Sequence, residues 1–161
     1  MDRARRTFID RMGQATEADG LSPIAGRLFA ALLLSEQPRS LDDLAEELAV
    51  SKASVSTEAR RLLDRGIVDR VPTPGDRRDY YELTPDFYAR VIRNRLERWR
   101  RIQSQVDAVR NESGDLGPVV RDRIASIGDI NADVITQVEA ALASWEAQHE
   151  HVSSASSRRT A

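Results

Sequence analysis

Residues 51–84, SKASVSTEARRLLDRGIVDRVPTPGDRRDYYELT, constrain this chain more than any other stretch. Ser51 is placed to cap a helix, and Val55, Ala59, Leu62 and Leu63 recur along one face at helical spacing. Gly66 closes that helix, with Arg65 in its last turn, where a cation opposes the negative end of the dipole. Ile67-Val68-Asp69-Arg70-Val71 then alternates as a strand does. Pro72-Thr73-Pro74-Gly75-Asp76 is turn chemistry, and Tyr80-Tyr81-Glu82-Leu83 is the return strand. A helix that runs straight into a short hairpin, with Asp76, Arg77 and Arg78 at its tip, is not something the packing of a helix bundle requires.

Helical patterns fill most of the remainder. Ala4, Phe8, Met12 and Ala15 predict a first amphipathic helix over 2–17, broken at Asp19-Gly20. Ser22-Pro23 is an N-cap followed by proline at the first helical position, and it starts a second helix to about Ser35. That helix is apolar nearly all round, which predicts a buried axle. Ser40 caps a third helix with Asp43 in the capping-box position. Its Leu41, Leu44, Ala45 and Leu48 are expected inside, with Asp42, Glu46 and Glu47 in water. Thr84-Pro85-Asp86 begins a long helix to about Asn111, with the stripe Tyr88, Ile92, Leu96, Trp99, Ile102, Val106 and Val109. After a break at 114–118, a last helical region carries Val120, Ile124, Ile127, Ile130 or Asn131, Val134, Val138, Leu142 and Trp145 to about His149. Gly128 is a place where it could divide or bend. The low-complexity tail 151–161 is expected to be disordered.

Composition narrows the function classes. With no cysteine among the 161 residues, disulfides, thiolate metal sites and thiol redox chemistry are excluded. The two histidines, His149 and His151, lie together near the C-terminus without metal-spaced partners, and there is no glycine-rich phosphate loop. No catalytic constellation is visible, so neither an enzyme nor a cofactor is expected. The longest apolar run, Leu28 to Leu34, is far short of the ~18 residues of a membrane span. The start MDRARRTFID lacks the apolar core of a signal peptide. A cytoplasmic protein is expected. Net charge is −2, but its distribution is uneven. Residues 51–78 carry seven cations against four carboxylates, a local +3, whereas 118–150 has two against six, a local −4.

The third and fourth helices meet at Ala49-Val50, which is helix-turn-helix spacing. Opposite the Val55 face of the fourth helix lie Ser54, Thr57, Arg60 and Arg61, a set suited to the major groove. Short hydroxyls allow close approach, and arginines reach guanine edges or phosphates. Ser51 and Lys52 sit at the helix N-terminus, where backbone N–H groups favour a phosphate. Arg77 and Arg78 on the hairpin tip suit the minor groove or flanking phosphates. Asp76 is expected to stiffen the hairpin by pairing with one arginine while the other meets DNA. Glu58 and Asp64 are expected to point sideways. The competing reading of the fourth helix is an ordinary solvated face.

Together these residues resemble the DNA-binding half of the MarR superfamily of bacterial transcription regulators. The wing pattern D-x-R-x-x-x-x-L-T is met by Asp76, Arg78, Leu83 and Thr84, and LLDRGIVDR at 62–70 matches the exit of the recognition helix. Ser22-Pro23-Ile24-Ala25-Gly26-Arg27 and the S-K-x-S-V-S start are more similar to the GbsR-like branch. The resemblance implies a mainly α fold with a small β-hairpin wing, a winged helix-turn-helix flanked by N- and C-terminal dimerisation helices. The expected division is an N-terminal helix (1–20), a DNA-binding domain (21–84), a helical dimerisation region (85–150) and the tail. It implies a homodimer on a palindromic stretch of double-stranded DNA, acting as a ligand-responsive repressor. Phe29, Tyr81, Phe87, Tyr88 and Trp99 are the candidates for lining a small-molecule pocket. The rival reading is a winged-helix module that binds protein instead of DNA.

Overall fold

The computed structural model describes residues 2–17, 20–73, 75–112 and 116–156, and divides into two compact units between Phe87 and Tyr88. In the first unit the order is α1 (Arg3–Glu17), α2 (Pro23–Leu33), β1 (Arg39–Ser40), α3 (Leu41–Leu48), α4 (Lys52–Asp64), β2 (Val68–Val71) and β3 (Tyr80–Leu83). α2 is the axle that its composition predicts. Ser22 caps it by accepting from the Ala25 amide, and Ala25, Gly26, Leu28, Ala30, Ala31 and Leu32 are buried. Against it pack α1, α3 and α4. Leu44, Leu48, Val55, Ala59 and Leu62 complete the core.

α1 presents a different face from the expected one. Ile9 and Gly13 are buried, whereas Phe8 is 37 % exposed and Ala4 and Ala15 lie in solvent. The cause is the approach to α2: a Cβ on Gly26 would fall 1.8 Å from the Thr16 hydroxyl oxygen and 2.8 Å from the Met12 carbonyl. The two helices touch backbone to backbone through Gly13 and Gly26, and this approach sets the rotation of α1. Apolar periodicity alone favours Phe8 because it gives glycine no weight.

The sheet has the order β1-β3-β2, all antiparallel. β2 and β3 form the expected hairpin, with Val68 opposite Leu83 and Val71 opposite Tyr80. β1 was not expected; two residues are too few for any periodicity, yet Arg39 and Ser40 pair with Tyr81 and Tyr80. Thr84 joins the hairpin to the exit of α4: its hydroxyl donates to the Gly66 carbonyl at 3.1 Å and its amide to Ile67 at 3.1 Å.

α5 (Phe87–Glu112) and α6 (Pro118–Ser156) run antiparallel, held by ion pairs Arg93–Glu146, Arg100–Glu139 and Arg110–Asp129. α6 is continuous through Gly128. A Cβ there would stand 3.0 Å from both Val106 Cγ1 and Arg110 Nη1, so this glycine admits α5 and does not break the helix. Of the two alternatives in the α6 stripe, Asn131 faces α5 and Ile130 is 68 % exposed. Asn131 Nδ2 donates to the Trp99 carbonyl and to Gln103 Oε1, both at 3.0 Å. The expected tail is helical as far as Ser156, and 157–161 lie outside the described residues.

Candidate nucleic-acid interface

The geometry of α3 and α4 follows from local chemistry at each end. Ser40 accepts from the Asp43 amide at 3.2 Å, with Asp42 and Asp43 in the first turn opposing the dipole. α3 stops at Ala49, a non-glycine residue at φ 52°, where the amides of Ala49 and Val50 return to the Glu46 and Ala45 carbonyls. Ser51 then caps α4. Its oxygen accepts from the Ser54 amide at 3.1 Å and its hydroxyl lies 2.8 Å from the Ser54 hydroxyl. The Ser51 side chain is thus occupied by the cap, and the amides of Lys52 and Ala53 are left at the open end of the helix.

Lys52, Thr57, Arg60 and Arg61 are exposed along α4, and Ser54 is half-buried. Each is held from within. Lys52 Nζ lies 2.8 Å from Asp42 on α3, an ion pair across the turn that no single-helix spacing could indicate. The Thr57 hydroxyl donates to the Ala53 carbonyl at 3.0 Å, and Arg60 Nη2 to the Ser56 hydroxyl at 3.4 Å. Arg61 Nη1 donates to Glu58 Oε1 at 2.9 Å. Glu58 departs from expectation. It does not point sideways into solvent; it is 7 % exposed and holds Arg61 from beneath. Asp64 is exposed.

The hairpin tip is organised by one carboxylate. Gly75 supplies the positive φ of 81° that the turn needs, and the Asp76 amide donates to Thr73 at 3.1 Å. Asp76 then accepts from Arg78 three times, from its amide at 2.9 Å, Nε at 2.8 Å and Nη2 at 2.6 Å, and from the Tyr80 hydroxyl at 2.9 Å. The Arg78 side chain and amide, with the Tyr80 hydroxyl, hold the Asp76 carboxyl well below the usual carboxylate range; the same bond raises the Tyr80 hydroxyl. The Arg78 guanidinium also stacks 5.4 Å from the Tyr80 ring centroid. Arg70 pairs with Asp79 at 2.7 Å lower on the hairpin. Arg77 is exposed and has no ionic partner among the described residues.

A charged cluster behind this surface is not visible in the sequence. Glu47, expected in water, has a side chain only 10 % exposed and bonds Arg5 at 2.7 Å and Arg39 at 2.9 Å. Burial raises its carboxyl, but the two guanidinium groups outweigh this and the net displacement is downward. Arg5 also donates to the carbonyls of Ala31 and Leu34, closing the C-terminal end of α2. Arg27 bridges in the same manner, from Asp10 on α1 to the Leu48 carbonyl on α3. Neither arginine stands near its partners in sequence, so only the packed helices show the role.

The five aromatic candidates are divided between the two units. Phe29 and Phe87 meet with ring centroids 5.6 Å apart, and Tyr81 is buried, its hydroxyl raised by that burial. Tyr88 and Trp99 belong to the second unit, Tyr88 being 63 % exposed. An open cavity of about 850 Å³ is lined instead by Arg5, Ser35, Arg39 and Glu47, among others. Among the described residues no cluster of His, Asp or Glu could hold a metal ion, and no helix is long and apolar enough to cross a membrane.

The helix-turn-helix of α3 and the capped α4, followed by a three-stranded sheet whose β2–β3 hairpin is the wing, define a winged-helix domain. Comparison with known proteins gives the same class. The MarR family model matches residues 19–79. The chain is 34 % identical over 136 residues to the HTH-type transcriptional regulator MmpR5 of Mycobacterium tuberculosis, spanning 84 % of this chain and 82 % of that one. It is 26 % identical over 121 residues to the HTH-type transcriptional repressor GbsR of Bacillus subtilis, spanning 74 % of this chain and 67 % of the relative. A crystal structure of a transcriptional regulator, 31 % identical, matches with a TM-score of 0.72 over 89 % of this chain and 98 % of that one. The chain belongs to the MarR family. Its class is that of transcription regulators, not of enzymes.

Proposed function

We propose that the protein is a homodimeric repressor that reads a palindromic operator with α4 and grips its flanks with the wing. The observation that carries this reading is the wing tip, where a fixed Arg78 and an exposed Arg77 stand beside each other with no task in the core. Arg60 and Arg61, with Ser54 and Thr57, are the base-reading set; Lys52 and the amides at the start of α4 take a phosphate. Ser51 contributes through the cap, and Asp76 by orienting Arg78.

Dimerisation accounts for the apolar surface left on the helices: Phe8 on α1, Ile102 and Val109 on α5, and Val119, Val120, Ile127 and Ile130 on α6. A second copy that covers these residues places two recognition helices in successive major grooves, with half-sites ~34–36 Å apart. On this reading residues 1–20 and 85–150 form the dimer and 21–84 bind DNA, in the cytoplasm. The helix start at Ser22-Pro23 and the S-K-x-S-V-S segment, with GbsR among the relatives, favour placement in the GbsR-like branch. A small molecule held by the aromatic candidates, Phe29, Tyr81 and Phe87 in the first unit or Tyr88 and Trp99 in the second, would relieve repression by binding the DNA-incompetent dimer more tightly than the competent one.

Selection of fragments from genomic DNA tests the reading. Retained fragments converge on an inverted repeat with half-sites about one turn apart, and sedimentation gives a dimer. Retention without any common sequence, or capture of proteins instead of DNA, overturns it.

A further inference from the structure

Three polar or charged residues are buried in the described structure: Ser40, Thr84 and Glu58. Two of them bond backbone. Ser40 caps α3, and Thr84 ties the sheet to the exit of α4. Glu58 bonds a side chain instead, and that side chain, Arg61, is 61 % exposed on the outer surface of α4. A carboxylate buried at one end of an ion pair whose other end stands in water adds little to the fold, because burying the charge offsets the attraction. Its effect is to restrict where the arginine can go.

We infer that Glu58 is a positioning residue for base reading: it holds the Arg61 guanidinium in one orientation and so sets the sequence preference of the recognition helix. This rests on the reading of α4 as a DNA-binding element. The donor arithmetic is favourable. Arginine has five N–H donors, of which Glu58 takes one at Nη1, leaving enough for the paired bonds to guanine O6 and N7. The tether also acts in the opposite sense on non-specific binding. A carboxylate 2.9 Å from the guanidinium partly cancels its attraction for phosphates, so the arginine adds less to affinity for arbitrary DNA. The arrangement favours discrimination over strength.

The experiment measures wild type, Glu58→Gln, Glu58→Met, Arg61→Ala and Glu58→Gln/Arg61→Ala against the selected operator and its single-base variants. Glu58→Met fills the buried position with apolar volume and serves if the glutamine variant does not fold; circular dichroism establishes which variants fold. Both Glu58 variants lose roughly five-fold or more of discrimination at one base pair of each half-site, the pair at which Arg61→Ala loses it, while affinity for non-specific duplex is kept or raised. The double variant discriminates no worse than Arg61→Ala alone. A wild-type preference profile in the folded Glu58 variants overturns the positioning role and leaves the DNA-binding reading intact. Failure of the wild type to prefer any sequence overturns both.

Discussion

Replacing Gly26 by alanine sets two effects of known size against each other. In an isolated helix alanine is better than glycine by about 1 kcal/mol. Within α2 the new methyl group would lie 1.8 Å from Thr16 Oγ1, 2.8 Å from the Met12 carbonyl oxygen and 3.0 Å from the Gly13 Cα. The hydroxyl can swing only by giving up its bonds to the Met12 and Gly13 carbonyls, at 2.9 and 3.2 Å, and the other two obstacles are backbone. α1 must therefore move away, loosening the buried Ile9. Overpacking of this kind costs typically about 1–3 kcal/mol. A 1.8 Å approach backed by two backbone obstacles belongs at the upper end, so about 3 kcal/mol less the propensity gain of about 1 leaves an expected net loss of about 2 kcal/mol. Urea unfolding measures it as a lower midpoint with little change in slope. Thr16→Ala in the same chain removes the nearest obstacle and leaves the two backbone ones, so it restores part of the stability. A midpoint unchanged or raised by Gly26→Ala would refute the reasoning, and full restoration by Thr16→Ala would refute its backbone part.

Other outcomes follow from the charged clusters. Glu47→Ala strands Arg5 and Arg39, whose side chains are 24 % and 26 % exposed, and costs about 1–3 kcal/mol at neutral pH, between the surface and buried cases. Because the Glu47 carboxyl is displaced downward in the fold, its contribution is complete above the ordinary value of 4.5 and is lost as pH falls below it; the stability gap to the variant closes there, which acid titration of unfolding detects. Asp76→Ala leaves Arg78 uncompensated on each wing, and in a dimer it steepens the slope of log K against log salt by up to about 1.8, as anisotropy titrations would read. Asn131→Ala removes two hydrogen bonds between α5 and α6 and lowers stability by about 1–2 kcal/mol in thermal unfolding.

Most of the element order was legible because each element carries local chemistry: Ser22, Ser40 and Ser51 at helix starts, Gly66 at an exit, Pro72 to Asp76 at the turn. The candidate surface was legible for the same reason, since the outer residues of α4 follow from helical periodicity. What could not be read are the partners supplied by other elements. Lys52 meets Asp42 across a turn, and Arg5 meets Glu47 from 42 positions away. Inside one helix, apolarity is a poor sole guide. It ranks Phe8 above Gly13 for the core, yet the lack of a side chain at Gly13 is what lets α1 and α2 close. Nor does the sequence say which wing arginine pairs with Asp76: it is Arg78, which also donates to the Tyr80 hydroxyl, and this leaves Arg77 as the uncommitted cation at the tip.

The central claim is that α4 and the wing face DNA phosphates and bases, and the salt dependence of operator binding tests it most directly. Titrations of wild type and Arg77→Ala across salt concentrations, on the selected operator, give the slope of log K against log salt. A steep linear slope is expected for the wild type. Arg77→Ala flattens it by about 1.8, because one phosphate beside each of two wings is no longer neutralised. Binding that ignores salt, or an identical slope in the variant, contradicts the account.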